Sequence, residues 1–256
     1  MAKKIAILNF KGGVGKTTTA INLGAALAKS KKKVLLIDLD GQCNTSMTLN
    51  YNVGDGETIY DALADKDENT EIPVYEYQKN MDFVPASIQL GEIEVEIANR
   101  ERKEEILKRL VAPIEQAYDF IIIDCPPSEG ILNKNAMALV EEVIIPVNGE
   151  PYALQGIANM QKRIERIKKI INPNLNIMGY LFTQYDMRLG IHKQLLRDMK
   201  DAFAGQIFNT KIKTCTKLKE APTERQTIFD YAPTCTGAED YLQFAKEVLS
   251  IYKKKG

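Results

Sequence analysis

The segment NFKGGVGKTTTA, residues 9–20, sets Lys11 and Lys16 around Gly12, Gly13 and Gly15. It follows the phosphate-binding order of glycine, any four residues, glycine, lysine and serine or threonine, except that Phe10 stands where the first glycine belongs. Residues without Cβ reach positive φ cheaply, so such a loop can turn its backbone N–H groups inward as a nest for phosphate oxygens. Gly12, Gly13, Val14 and Gly15 would supply those amides. Lys16 would add a point charge at the terminal phosphates, and Thr17 would offer a hydroxyl to Mg²⁺. Thr18 joins the nucleotide-binding residues where the loop opens onto a helix N-terminus, whose free amides favour anions. Lys11, five positions before Lys16, is not required by the pattern.

Carboxylates at strand ends complete the candidate chemistry. Asp124 closes FIIIDCPP at what should be the carboxyl edge of a parallel sheet, the edge at which ligands bind in such folds. It matches the acid that holds Mg²⁺ through water in P-loop enzymes. Asp38 and Asp40 end VLLIDLD on the same edge; alternation puts both on one face and Leu39 on the other. Asp40 is the candidate for orienting the attacking water.

The elements that must position these groups follow from periodicity. Short β-branched runs alternate with longer segments of helical period, the pattern of repeated βαβ units. KIAILNF and KKVLLIDLD read as strands flanking a helix from Thr17 to Lys29. Buried parallel strands recur at MDFVPA, YDFIIIDCPP, EEVIIPVN and NIMGYLFTQY, with QIFNTKI as a late strand. Helices are expected at about 58–64, 88–117 with a break near Pro113, 130–140, 152–171, 190–203 and 238–253. Residues 50–82 are polar and turn-rich. No repeat or Pro/Gly/Ser linker divides the chain, so the expectation is α/β: a single-domain P-loop NTPase fold over residues 1–256, with a mostly parallel twisted sheet and helices on both faces.

Composition narrows the setting. The chain has 256 residues, 45% of them hydrophobic, enough for a large core. Basic and acidic residues balance at 34 each, so no global field draws it to nucleic acid or an anionic membrane, and any such binding must come from local patches. The four cysteines, Cys43, Cys125, Cys215 and Cys235, form no CxxC pair and follow no secretory leader, which points to reduced thiols in a cytoplasm. No apolar run approaches the ~20 residues that span a bilayer.

KGGVGKTT, LLIDLDGQ, YDFIIIDCPPS and VIIPVNGEPYALQGI, in this order, resemble the deviant-Walker ATPases of the ParA/Soj partition type. The resemblance runs from about Lys3 to about Leu249. It implies Mg²⁺-dependent ATP hydrolysis of low turnover, and a homodimer that sandwiches two ATP molecules. It also implies that Lys11 reaches across the two-fold axis to the partner's phosphates, as a catalytic residue beside Lys16 and Asp40. Lysine suits that role as a compact charge that stabilises a phosphoryl-transfer transition state. Gly41 stands where the family usually has proline, which suggests a looser segment after Asp40. Lys213, Thr214 and Cys215 occupy a region where the family has a proline-arginine-asparagine run that helps hold the base, so the adenine pocket stays unassigned.

The resemblance further implies non-specific DNA binding, a centromere-binding ParB-like activator and a cytoplasmic, nucleoid-associated location. With the first strand beginning at residue 3, no N-terminal operator-reading domain is expected. Lys193, Arg197 and Lys200 share a helical face, with Arg188 just before it, and form the candidate DNA contact; Lys162, Arg163, Arg166, Lys168 and Lys169 form a second basic cluster. His192 reads as a packing or surface residue. The alternative is a MinD-type ATPase with a membrane as its track. Such proteins carry a separate amphipathic helix, whereas the stripe Tyr241, Ala245, Val248 and Tyr252 reads as part of a core helix.

Overall fold

The β-branched runs lie side by side because each is apolar on both faces and must be covered twice. The computed structural model describes residues 1–67, 69–150, 153–203 and 205–255. Its strands are β1 (Lys3–Ile7), β2 (Val34–Asp38), β3 (Tyr75–Gln78), β4 (Met81–Val84), β5 (Phe120–Asp124), β6 (Glu142–Val147), β7 (Asn176–Tyr185) and β8 (Ile207–Lys213). The described residues form one eight-stranded sheet in the order β3-β4-β2-β5-β1-β6-β7-β8. All neighbours are parallel except β3, which runs antiparallel to β4. From β1 the chain crosses to one side of the sheet for β2 and later to the other for β6. The loop after β1 therefore opens at the point where the strand order reverses.

Helices cover both faces. On one, α1 (Lys16–Lys29), α10 (Ile228–Tyr231) and α11 (Thr236–Lys255) pack on Ile5, Ile7, Val34, Leu36 and Ile122. On the other lie α3 (Ile59–Ala64), α5 (Ile106–Val111), α6 (Ile131–Leu139) and α7 (Ala153–Ile170), against Ala6, Leu35, Ile37 and Ile123. Shorter pieces are α2 (Asn44–Thr48), α4 (Ile93–Glu96) and α9 (Lys217–Glu220), while α8 (Gly190–Ala202) follows β7. In α11, Tyr241, Phe244, Ala245 and Val248 are buried, so its apolar stripe belongs to the core. No described helix is long and apolar enough to cross a membrane.

Most expected helices appear within a residue or two of their expected ends. Thr58 starts α3 with a reciprocal cap, its hydroxyl accepting from Tyr60 N while Asp61 accepts from Thr58 N. For the helix expected at 152–171, Tyr152 lies outside the described residues. The long helix expected at 88–117 is corrected: the segment breaks into α4, α5 and three single turns at Ile88–Gly91, Lys103–Glu105 and Glu115–Ala117. Tertiary bonds take the groups a helix would use. Asn135 of α6 accepts from Leu107 N (3.0 Å) and donates to Lys103 O (2.8 Å). Arg100 turns back to the carbonyls of Leu63 and Asp65, and Arg102 sits at φ 49°.

Candidate nucleotide site

Residues 8–15 leave β1 at the carboxyl edge and enter α1. Gly13 and Gly15 take φ of 74° and 86°, which an L side chain would strain, and a Cβ at Gly12 or Gly13 would meet nothing within 4 Å, so that side of the loop is open. The loop is held from behind. Asn9 donates to Pro146 O (2.8 Å) and accepts from Lys11 N (2.9 Å). At the end of β7, Thr183 donates to Val14 O and Gln184 to Gly13 O, each at 2.8 Å. Thr214 in turn donates to Gln184 O (3.0 Å).

Lys16 is buried, and its Nζ donates to Lys11 O across the loop (3.1 Å). Burial lowers its pKa against the attraction of Asp124 and Asp40, which places a desolvated cation among the loop amides. The Lys11 side chain takes a different partner. It is half exposed and ion-paired with Glu150, which also accepts from Asn148 Nδ2 (2.7 Å); the Lys11 and Asn148 bonds hold the Glu150 carboxyl below its usual range.

Asp38 and Asp124 are register partners on β2 and β5, both fully buried. Burial pushes both carboxyls above the usual range, Asp38 further because the Asp124 charge adds to it. α2 answers each acid with a hydroxyl. Ser46 donates to Asp38 from Oγ (2.7 Å) and N (2.9 Å), and Thr45 to Asp124 Oδ2 (2.7 Å). Asp124 Oδ1 is buried without a well-placed hydrogen bond, while the Thr17 hydroxyl stands near enough to help hold the carboxyl down.

The strand expected to include Asp40 stops at Asp38. Leu35, Ile37 and Leu39 still share one core while Val34 and Leu36 face the other, so alternation separates Leu39 from Asp38 as expected. Asp40 lies just beyond, half buried, its N donating to Asp38 Oδ1 (3.1 Å) and its Oδ1 accepting from Gln42 N (3.0 Å). Nothing in the local geometry demands glycine at 41: a Cβ there would meet only ordinary contacts at 3.6 Å.

The candidate DNA residues lie on α8 and in the turn before it. Lys193, Arg197 and Lys200 are exposed on α8. Arg188 in the preceding turn is clasped by Asp186 (2.7 Å), Arg197 donates to Gln194 (2.6 Å), and the Lys200 charge bears on Lys211 of β8. His192 is a packing residue: its Nδ1 accepts from Asp186 N (3.0 Å) and its ring lies against Phe182 and Tyr185. In the second basic cluster, Arg163 pairs with Glu129 and Lys168 donates to Asn176 (2.7 Å).

Comparison with known proteins places this geometry. Residues 2–177 match the AAA_31 family, an AAA domain. The chain is 42% identical to the sporulation initiation inhibitor protein Soj of Bacillus subtilis, over 97% of this chain and 98% of the relative. It is 36% identical to the chromosome partitioning protein ParA of Caulobacter vibrioides, over 96% and 93%. The chain belongs to the Soj/ParA family. Among solved structures, cobyrinic acid a,c-diamide synthase from Mycobacterium smegmatis with bound ATP analog and magnesium is 29% identical, with a TM-score of 0.87 over 100% of this chain and 98% of that one. Soj/ParA membership makes the chain a partition-type ATPase homologue, consistent with the loop, the paired acids and the sheet order.

Several residues that shape the site escape a reading by motif. Thr183 and Gln184 carry no motif, but their place at the carboxyl end of an apolar strand marks them as edge residues. Thr45 and Ser46 follow Asp38 by seven and eight positions, in a five-residue helix too short to leave a periodic signal. Glu150 stands in a quoted family segment and gains meaning only once Lys11 is seen beside it.

Proposed function

We propose that residues 1–256 act as one Mg²⁺-dependent ATPase unit that dimerises around ATP, binds DNA without sequence preference and drives plasmid or chromosome segregation with a centromere-binding ParB-like activator, in the cytoplasm on the nucleoid. The observation that carries this reading is the division of labour between two lysines on one loop. Lys16 is folded inward over the loop, whereas Lys11 is half exposed and held only by a surface ion pair with Glu150, which it can exchange for a phosphate of a second subunit. In this reading the amides of Gly12, Gly13, Val14 and Gly15, with Lys16, Thr17 and Thr18, hold the phosphates. Magnesium is a hard cation that takes oxygen ligands; the Thr17 hydroxyl and the Asp124 carboxylate, whose Oδ1 is buried without a hydrogen bond, would hold it, and when bound it would neutralise charge on the phosphates. Asp40 orients water on the open side of the loop. Lys11 enters from the partner as a cation on the developing charge.

Asp40→Ala should bind ATP and dimerise as the parent does while turnover falls by about a hundredfold, the usual scale of one proton-handling group. Single-turnover phosphate release checks this, and normal turnover removes Asp40 from the mechanism.

The basic face of α8 supports a DNA track. ATP-bound protein should bind random-sequence duplex with affinity falling as salt rises, and replacing Lys193, Arg197 and Lys200 with alanine should flatten the log–log salt slope by up to about three for each subunit that touches the duplex. Arg188, already held by Asp186, is left in place. Unchanged DNA binding by the triple variant defeats the face assignment. A parent that binds anionic liposomes and not DNA favours the MinD-type alternative, against which the buried stripe of α11 already counts.

A further inference from the structure

The fold brings together two of the cysteines that the sequence keeps 20 positions apart. Cys215 follows β8 and leads into α9, while Cys235 immediately precedes α11 and its carbonyl accepts from Glu239 N in the first helical turn (3.1 Å). Two contacts bracket the pair. Asp240 of α11 accepts from Lys213 N (2.8 Å) and Nζ (2.7 Å), fixing the end of β8 to the start of α11. On the other side Leu218 presses on Gly237 so closely that a Cβ there would lie 2.8 Å from Leu218 Cγ. Between these contacts the Cys215 and Cys235 side chains lie close enough to interact with one another, and the N–H groups of Gly237, Leu218 and Lys217 and the Thr236 hydroxyl stand near the Cys215 sulfur. Both side chains are partly exposed, whereas Cys43 and Cys125 are buried.

We propose that Cys215 and Cys235 are a redox-active dithiol, which a peroxide-class oxidant converts to an intramolecular disulfide. Cys215 is the attacking sulfur, since N–H donors at a helix start favour its thiolate; its pKa is lowered despite partial burial. The thiolate attacks one oxygen of hydrogen peroxide, the O–O bond breaks, and the departing hydroxide takes a proton to become water. The sulfur, oxidised by two electrons, is left as a sulfenic acid. Cys235 then attacks that sulfur: the S–S bond forms, the S–O bond breaks, and the leaving hydroxide departs as a second water with the Cys235 proton. Two thiols and one peroxide thus give one disulfide and two waters. The other two thiols are poor competitors, because burial raises both, Cys43 to about 11 and Cys125 well above its ordinary value. The bond closes a loop around α9 and α10 and lies next to Thr214, which is two hydrogen bonds from the phosphate loop through Gln184.

The test exposes the full chain to a small excess of hydrogen peroxide, then counts free thiols by alkylation in denaturant and maps linked peptides by mass spectrometry. The expected result is loss of two of the four thiols within one chain and a linked peptide pair containing Cys215 and Cys235, while Cys43 and Cys125 are still alkylated. In Cys235→Ser, Cys215 should accumulate as a sulfenic acid trapped by a 1,3-diketone, and at neutral pH it should be alkylated at least about tenfold faster than Cys235 in Cys215→Ser. Retention of all four thiols, disulfides found only between chains, or equal alkylation of the two cysteines overturns the proposal. The wild-type thiol count decides the matter even where a serine variant folds poorly.

Discussion

Replacing Lys16 with alanine should lower ATP affinity by about a thousandfold or more, measured by calorimetry or by displacement of a fluorescent nucleotide. A cation about 4 Å from a phosphate charge, in surroundings of effective dielectric near 20, contributes about 4 kcal/mol, and every 1.4 kcal/mol is tenfold. Lys16 is buried at the head of α1, so water replaces its charge poorly. The loss to the fold should be small, because within its own chain the ammonium hydrogen-bonds to Lys11 O, a carbonyl that water can reach once the lysine is gone. An unchanged circular dichroism spectrum beside lost binding is therefore the expected pattern. Wild-type affinity in the variant would refute the assignment of residues 9–18 as the phosphate site.

Lys11→Ala should behave differently, and the contrast tests the subunit-crossing role. The loop amides, Lys16 and Thr17 remain, so ADP binding should stay near the parent's. Association in ATP should fall by a few hundredfold or more, since a two-fold interface repeats each contact. Two hydrogen bonds to charged groups at roughly 1.5 to 3 kcal/mol each support that scale. The measurement is sedimentation with ATP and magnesium, with Asp40→Ala in the background to block turnover. Hydrolysis and DNA binding, which in this reading need the dimer, should fall with it when tested in the Asp40 parent. A dimer as tight as the background's would mean that Lys11 serves its own subunit alone.

The fold was legible because its signals are local. Apolar runs such as FIIID and VLLID can only be doubly covered strands, and the glycine spacing at 12–15 can only be a turn of unusual backbone. Legibility failed where long-range bonds override propensity. Residues 88–117 have the composition of a helix, yet Asn135 takes the Leu107 N–H and the Lys103 carbonyl that a continuous helix would have paired, while the Arg100 side chain is drawn back to the carbonyls of Leu63 and Asp65. It failed again where an element is shorter than its own period, as in α2, whose Thr45 and Ser46 attend the two buried acids. The base pocket is a third case: Lys213 is bound to Asp240 and Thr214 to Gln184, so the segment that departs from the family pattern serves the chain's own scaffold.

The ion pair between Lys11 and Glu150 gives assembly an unusual response to ionic strength. Both side chains are about half exposed, so mobile ions weaken their attraction readily. On the proposed assembly the same ammonium must leave Glu150 before it meets a phosphate of the second subunit, and added salt eases the departure while it weakens the arrival. The two screening effects oppose one another. Dimerisation should therefore respond to salt less steeply than its count of charged contacts implies, whereas DNA binding, with no such internal counterweight at Lys193, would keep the full counterion dependence. Over a range of salt, the paired state would persist after the track has let go.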